Sequence, residues 1–121
     1  MERAQFERLV RQALEELPDE IVSCMDNVDV VVEETASRDQ LIGSGLDEDE
    51  LLLGLYEGIP LPDRYDYNLV LPDKITLFQT TIESVCPSDE DVVKEVQDTV
   101  VHEVAHHFGI DDDELDAMGV S

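Results

Sequence analysis

At 121 residues the chain has the length of one compact domain, 1–121, which can bury a core without needing disulfides or a metal merely to fold. It is 42% hydrophobic with no Trp, which suits a core of Val, Leu and Ile. Its 31 Asp and Glu against 7 Lys and Arg give a formal charge of -24, so nucleic acid is not expected as a partner and an anionic membrane is disfavoured, both of which need a basic surface.

The N-terminal Met1-Glu2-Arg3-Ala4-Gln5-Phe6 is charged and has no apolar run behind it, and no stretch is long enough to cross a bilayer, so a cytoplasmic location is expected. Residues 2–17 place Phe6, Leu9, Val10, Ala13, Leu14 and Leu17 at helical spacing, and Pro18 follows as a stop. A short helical segment is expected over 20–26. Cys24 and Cys86 lack C-x-x-C spacing and read as buried, inert thiols rather than a bridge. Val28 to Glu34 has the β-branched density of a strand, and its apolar run predicts a place inside a sheet.

Residues 37–50, with Gly43, Gly45 and the run Asp47 to Glu50, read as a loop or short acidic turn. A second strand is predicted over Leu51 to Gly58, closed by Ile59-Pro60-Leu61-Pro62, because proline cannot donate to a ladder. A loop carrying Arg64, Tyr65 and Tyr67 follows. Lys74 to Ser84 reads as the third strand, with Pro87-Ser88 ending it. No internal repeat is visible.

Ser88 and Asp91 form a capping pair, and apolar spacing then runs to Phe108, the longest predicted helix. Val93, Val96, Val100, Val104 and Phe108 share one face, with Glu95, Thr99, His102 and His106 opposite. On this helix stands His102-Glu103-Val104-Ala105-His106, the H-E-x-x-H pattern. Residues four apart stand one turn above each other, so two imidazoles can reach one Zn2+ ion without distorting the backbone. Glu103 is then placed to take a proton from water rather than to bind the metal. A random chain of this length shows the pattern on the order of once in several hundred cases, and here all three histidines fall within it or beside it.

A zinc site of this kind needs a third protein ligand. Gly109 can end the helix at positive φ and turn the chain so that Asp112 points back toward the two histidines. The string H-E-x-x-H-x-x-G-x-x-D resembles the extended metzincin motif with Asp in place of the last His. Asp111, Asp113 and Glu114 remain alternatives, since a one-residue shift in the turn would reassign the ligand. Met118 follows closely enough that packing, rather than a Met-turn, is its expected role. His107, about 100° round from His106, is expected toward the apolar face in a core or supporting hydrogen-bond role.

With these residues in place the chain resembles the small bacterial zincin-like metallopeptidases, sometimes called minimal zincins. Beyond the zinc motif the resemblance rests on Leu53 to Leu61, Arg64, Lys74 to Phe78 and Asp98 to His102, and spans most of residues 50–116. It implies an α+β fold, a small mixed β-sheet of three to four strands packed against an N-terminal helix and a long active-site helix. It also implies a zinc site open to an extended cleft.

The expected activity is peptide hydrolysis with Glu103 as general base, on a peptide or protein substrate in extended conformation, by a protein expected to be a monomer. The segment 74–84 is the candidate edge strand for main-chain pairing with that substrate. Tyr56, Tyr65, Tyr67 and Arg64 are oxyanion candidates whose ordinary alternative is packing and loop ordering. The alternative function is a zinc-binding regulatory or peptide-binding module that cleaves nothing. A closed structural zinc site is disfavoured, because both cysteines lie far away in the chain and Glu103 would be superfluous.

The carboxylate excess repels itself and salt screens that repulsion. The melting temperature is expected to rise between low and molar salt; a flat or falling trend would show that the surface charge is merely solvated.

Overall fold

A computed structural model describes residues 1–43, 52–58 and 73–111, together with Asp113 and Ala117. In chain order its elements are α1 (Arg3–Glu15), α2 (Asp19–Cys24), β1 (Val28–Glu33), α3 (Arg38–Gly43), β2 (Gly54–Glu57), β3 (Asp73–Phe78), α4 (Gln79–Val85) and α5 (Asp89–Phe108). The mixture of helices with a three-stranded mixed sheet is the α+β architecture expected. No helix among the described residues is long and apolar enough to cross a membrane.

The sheet order is β1-β3-β2, with β1 parallel and β2 antiparallel to β3. Two expectations are corrected by this order. Among the described residues Val28–Glu33 lies at the side of the sheet rather than inside it, and none of its residues is fully buried. The 74–84 segment is not an edge: its strand portion is the central strand, and from Gln79 the chain is helical. The β-branched Thr80, Thr81 and Ile82 suggested strand continuation, but tertiary contacts turn the chain. Gln79 is buried and accepts from Arg3 Nε at 2.6 Å while donating to the Met1 carbonyl at 2.9 Å, and the Thr80 N–H donates to the Glu34 carbonyl.

A third correction concerns 37–50, read as a loop, where Arg38–Gly43 is helical. Its start is a reciprocal capping box: the Gln40 N–H donates to Ser37 Oγ, and the Ser37 N–H donates to Gln40 Oε1. The S-x-x-Q signal was present in the sequence, masked by the glycines and acids that follow it.

The core lies between the sheet and the two long helices. Ile75 and Leu77 of β3 meet Phe6, Val10 and Ala13 of α1 and Val96, Val100 and Val104 of α5 in one cluster. Burying a side chain of the Phe, Ile or Leu class contributes about 1.5–3 kcal/mol, so this cluster is what holds α5 against the sheet. Gln97 adds a polar tie, donating to the Ala13 carbonyl and to Glu16 at the end of α1.

Both ends of α5 follow from its sequence. Ser88 Oγ accepts the Asp91 N–H, and Asp89, Glu90 and Asp91 complement the positive end of the helix dipole. At the other end Gly109 takes φ 70, the only positive φ among the described residues, and the Ile110 N–H returns to the Ala105 carbonyl at 2.8 Å. Ile110 packs against the core, which completes the cap.

The expected apolar face of α5 holds for Val93, Val96, Val100 and Val104, all buried, but not for Phe108, which is 48% exposed. Phe108 instead lies edge-on to the rings of Tyr56 and His107, at the rim of the sheet. The two cysteines are free and half-buried rather than buried. Burial, then Glu95 and Asp91, push the Cys86 thiol upward, which keeps it protonated and unreactive.

Gly54 allows β2 to approach α5, since a Cβ there would lie 2.6 Å from Thr99 Cγ2 and 3.1 Å from the Thr76 carbonyl oxygen. Gly54→Ala is expected to destabilise the protein by about 1–3 kcal/mol, read from the denaturation midpoint. Thr99→Ser should recover part of the loss, because it removes one of the two clashing atoms. An unchanged midpoint in Gly54→Ala would show that β2 and α5 do not need this close approach.

Candidate metal and catalytic site

One stripe of α5 explains the layout. Glu95, Thr99, Glu103 and His107 recur at four-residue spacing, and three of them meet β2. Thr99 abuts Gly54; Glu103 lines a cleft together with Tyr56; and the His107 ring stacks on the Tyr56 ring at 4.0 Å and 18°. His102 and His106 stand one residue back along the helix from Glu103 and His107, and both are exposed.

The ladder accounts for the Tyr56 contact. The Phe78 N–H donates to the Leu53 carbonyl directly opposite it, so pairing alternates from there and the main-chain groups of Gly54 and Tyr56 are directed away from β3. The outward Tyr56 N–H is among the groups that lower the Glu103 pKa.

Glu103 borders two clefts. One, of about 420 Å³, is lined by Leu52, Leu53, Gly54, Asp98, Thr99 and His102. The other, of about 480 Å³, is lined by Gly43, Leu52, Leu55, Tyr56, His106 and His107. The two histidines of the motif therefore flank Glu103, one on each cleft.

Glu103 is half-buried, and desolvation raises its pKa; the Tyr56 N–H and the neighbouring His106 and His102 pull the other way without cancelling the rise. Burial likewise raises the Tyr56 phenol, reinforced by its hydrogen bond to Asp73 and the Asp73 charge, so Tyr56 stays a neutral donor. Its hydroxyl donates to Asp73 Oδ2 at 2.6 Å, which favours ordering over an oxyanion role. Of the two roles expected for His107, the core one is corrected: its side chain is 40% exposed, its Nε2 lies 3.8 Å from Asp73 Oδ2, and Phe108 meets its ring edge-on.

His102 Nδ1 lies 2.6 Å from the Asp98 carbonyl oxygen. A carbonyl only accepts, so the proton sits on Nδ1 and Nε2 keeps its lone pair, the tautomer a metal-ligating imidazole requires. The donor set therefore fits zinc as far as the two histidines reach. Among the described residues no group of three His, Cys, Asp or Glu side chains is assembled to hold a metal. Asp112, Glu114 and Met118 lie outside the described residues, as do Arg64, Tyr65 and Tyr67.

Sequence reasoning missed the part of Tyr56, whose contribution to Glu103 is a backbone N–H and so leaves no mark in residue type. The signal available was the spacing of Thr99, Glu103 and His107.

A carboxyl group with a raised pKa binds its proton more tightly in the folded than in the unfolded chain. Its ionised form therefore costs stability, a cost absent below the ordinary carboxylate pKa and fully present above the folded one. Metal-free Glu103→Gln is accordingly expected to melt a few degrees above wild type at pH 8, with the gap closing below about pH 4. Equal melting temperatures at pH 8 would show that burial does not penalise this carboxylate.

A family model described as zincin-like metallopeptidase matches residues 25–120, which include the whole of the motif. No curated protein matches the chain. Among solved structures, a conserved hypothetical protein from Thermo thermophilus is similar, with 26% sequence identity and a TM-score of 0.55 over 86% of this chain and 91% of that one. Taken with a helix that carries H-E-x-x-H beside a small mixed sheet, the match over residues 25–120 establishes that the chain belongs to the zincin-like metallopeptidase family.

Proposed function

We propose that the protein is a zinc-dependent peptidase in which His102 and His106 hold the metal, Asp112 completes the protein ligands, and Glu103 is the general base. The observation that carries this reading is the half-buried Glu103 carboxylate, flanked by two exposed imidazoles at the junction of two clefts. Zinc in such a site supplies Lewis acidity, polarising a carbonyl and making water easier to deprotonate.

Glu103 accepts the proton of the attacking water and delivers it to the departing amine. A raised proton affinity suits both halves of that task, because the group must take a proton and then release it near neutral pH. The Tyr56 N–H favours the ionised carboxylate and so opposes the effect of burial. His102 is held in one tautomer by the Asp98 carbonyl.

The substrate is a peptide in extended conformation lying beside β2, which replaces 74–84 as the candidate edge strand. The main-chain groups of Gly54 and Tyr56, directed away from β3, support this placement. The acidic lining of the first cleft, from Asp98 and Glu95, and the apolar lining of the second, from Leu52 and Leu55, would receive different side chains of the peptide.

Zinc-loaded protein is expected to cleave members of a random peptide library, and Glu103→Gln to retain stoichiometric zinc while losing turnover by about 100-fold or more. Equal cleavage by both would remove Glu103 from the mechanism. Absence of cleavage by wild type would favour the non-cleaving peptide-binding module. Asp112→Ala should weaken zinc affinity more than Asp111→Ala or Asp113→Ala; any other order reassigns the third ligand.

A further inference from the structure

The sheet has a second edge, on the side away from the candidate site. Among the described residues β1 has a strand neighbour on one side only, in the order β1-β3-β2. The Asp73 N–H donates to the Asn27 carbonyl, so in this parallel ladder the odd residues of β1 turn their main-chain groups toward β3. Val28, Val30 and Val32 turn theirs outward. Two of the outward groups are already used within the chain. The Val28 N–H donates to the Met25 carbonyl at 3.2 Å, and the Val32 carbonyl accepts from Arg3 Nη1 at 3.1 Å. The Val28 carbonyl, both Val30 groups and the Val32 N–H remain open among the described residues.

This pattern selects one register of self-pairing. In an antiparallel pair with a two-fold axis at Val30, Val30 faces the second copy's Val30, and Val28 faces the second copy's Val32. The two groups already satisfied are then each other's partners, so their capture orphans nothing. A pair of bonds between the Val30 residues remains, with a pair from the Val32 N–H groups to the Val28 carbonyls. One step of register either way would set Val30 against Val28 or Val32 and leave a Val30 group facing a spent one. Side chains agree with this register. The facing pairs on the core side are all valine, and on the other side Asp29 meets Val31 and Glu33 meets Asn27, so no carboxylate lies directly opposite another.

A cleft of about 500 Å³ between β1 and α1 adds a second complementarity. Val10, Leu14, Val30 and Val32 give it an apolar lining, and Glu7 and Arg11 give it one charge of each sign. The same two-fold axis sets the two α1 helices antiparallel on one face of the joined sheet. Glu7 and Arg11 stand one turn apart, so Glu7 of each copy faces Arg11 of the other.

We infer that the occupant of the β1 edge is a second copy of this chain, paired antiparallel about Val30, in place of the monomer expected from the sequence. The two three-stranded sheets join into one with the order β2-β3-β1-β1-β3-β2, and both β2 edges stay free at its ends. The inference does not depend on the peptidase reading. A formal charge of -24 on each copy opposes association, so the dimer tightens as salt screens the repulsion.

The test is sedimentation equilibrium of the full chain over a range of protein concentration at low and molar salt, joined to amide exchange by NMR. Wild type is expected to reach the dimer mass, at lower concentration in molar salt. The Val30 and Val32 amides should be protected in the dimer and exchange freely on dilution, while the Val28 amide stays protected in both states. Val30→Pro removes a donor that β3 does not use and should give a folded monomer. Arg11→Glu should weaken association by about tenfold, and adding Glu7→Arg should restore it, which decides the matter if Val30→Pro fails to fold. A monomer at every concentration and salt would overturn the inference, as would a dimer that survives Val30→Pro or a double variant no tighter than Arg11→Glu alone. Protected Val30 and Val32 amides in a monomer would show that another segment of the chain covers the edge, and would overturn it too.

Discussion

The close approach of β2 to α5, possible because residue 54 has no side chain, is the contact on which the remainder of the site depends. With Gly54 against Thr99, the strand lies near enough for Tyr56 to share a cleft with Glu103 one helical turn on, and for the Tyr56 ring to stack on His107 one turn further. The three contacts share the four-residue spacing of the helix and the two-residue spacing of the strand face. Holding β2 away from α5 would loosen all three together.

Around that contact the apolar core supplies rigidity and the carboxylate supplies reactivity. Val96, Val100 and Val104 anchor α5 to Ile75 and Leu77 on the inner face, while Glu103 sits at the margin of the same helix where solvent is only partly excluded. Partial burial is what shifts its proton affinity upward; full exposure would leave an ordinary carboxylate, and deep burial without the Tyr56 donor would cost far more stability. A strained electrostatic position at a functional site, offset by packing elsewhere, is a common division of labour in enzymes.

Several features of the molecule were legible in the residues taken one after another, because their causes are local. The H-E-x-x-H spacing, the Ser88 cap, the apolar run of α5 and the left-handed turn at Gly109 each depend on atoms within a few positions of one another, and the fold follows them. The α+β class and the family resemblance followed from the same motifs and their neighbours. Two of the errors were of one kind, a local preference overridden by contacts between elements. Thr80 and Thr81 have the intrinsic preference of a strand, yet Gln79 is captured by the N-terminal segment and the chain turns into α4. The apolar run of β1 suggested an interior strand, but strand order is decided by which edges meet and not by composition.

By itself, then, the amino-acid order determined the helix that carries the chemistry, the identity and spacing of its two imidazoles and carboxylate, and the glycine that ends it, since hydrogen bonds and sterics within one or two turns settle all of these. Only the tertiary structure decided that β3 is central, that β2 lies beside the site, and that the Tyr56 ring stacks on His107 next to Glu103. Those outcomes join residues up to about 50 positions apart, through ladder pairing and packing between elements that no local spacing announces.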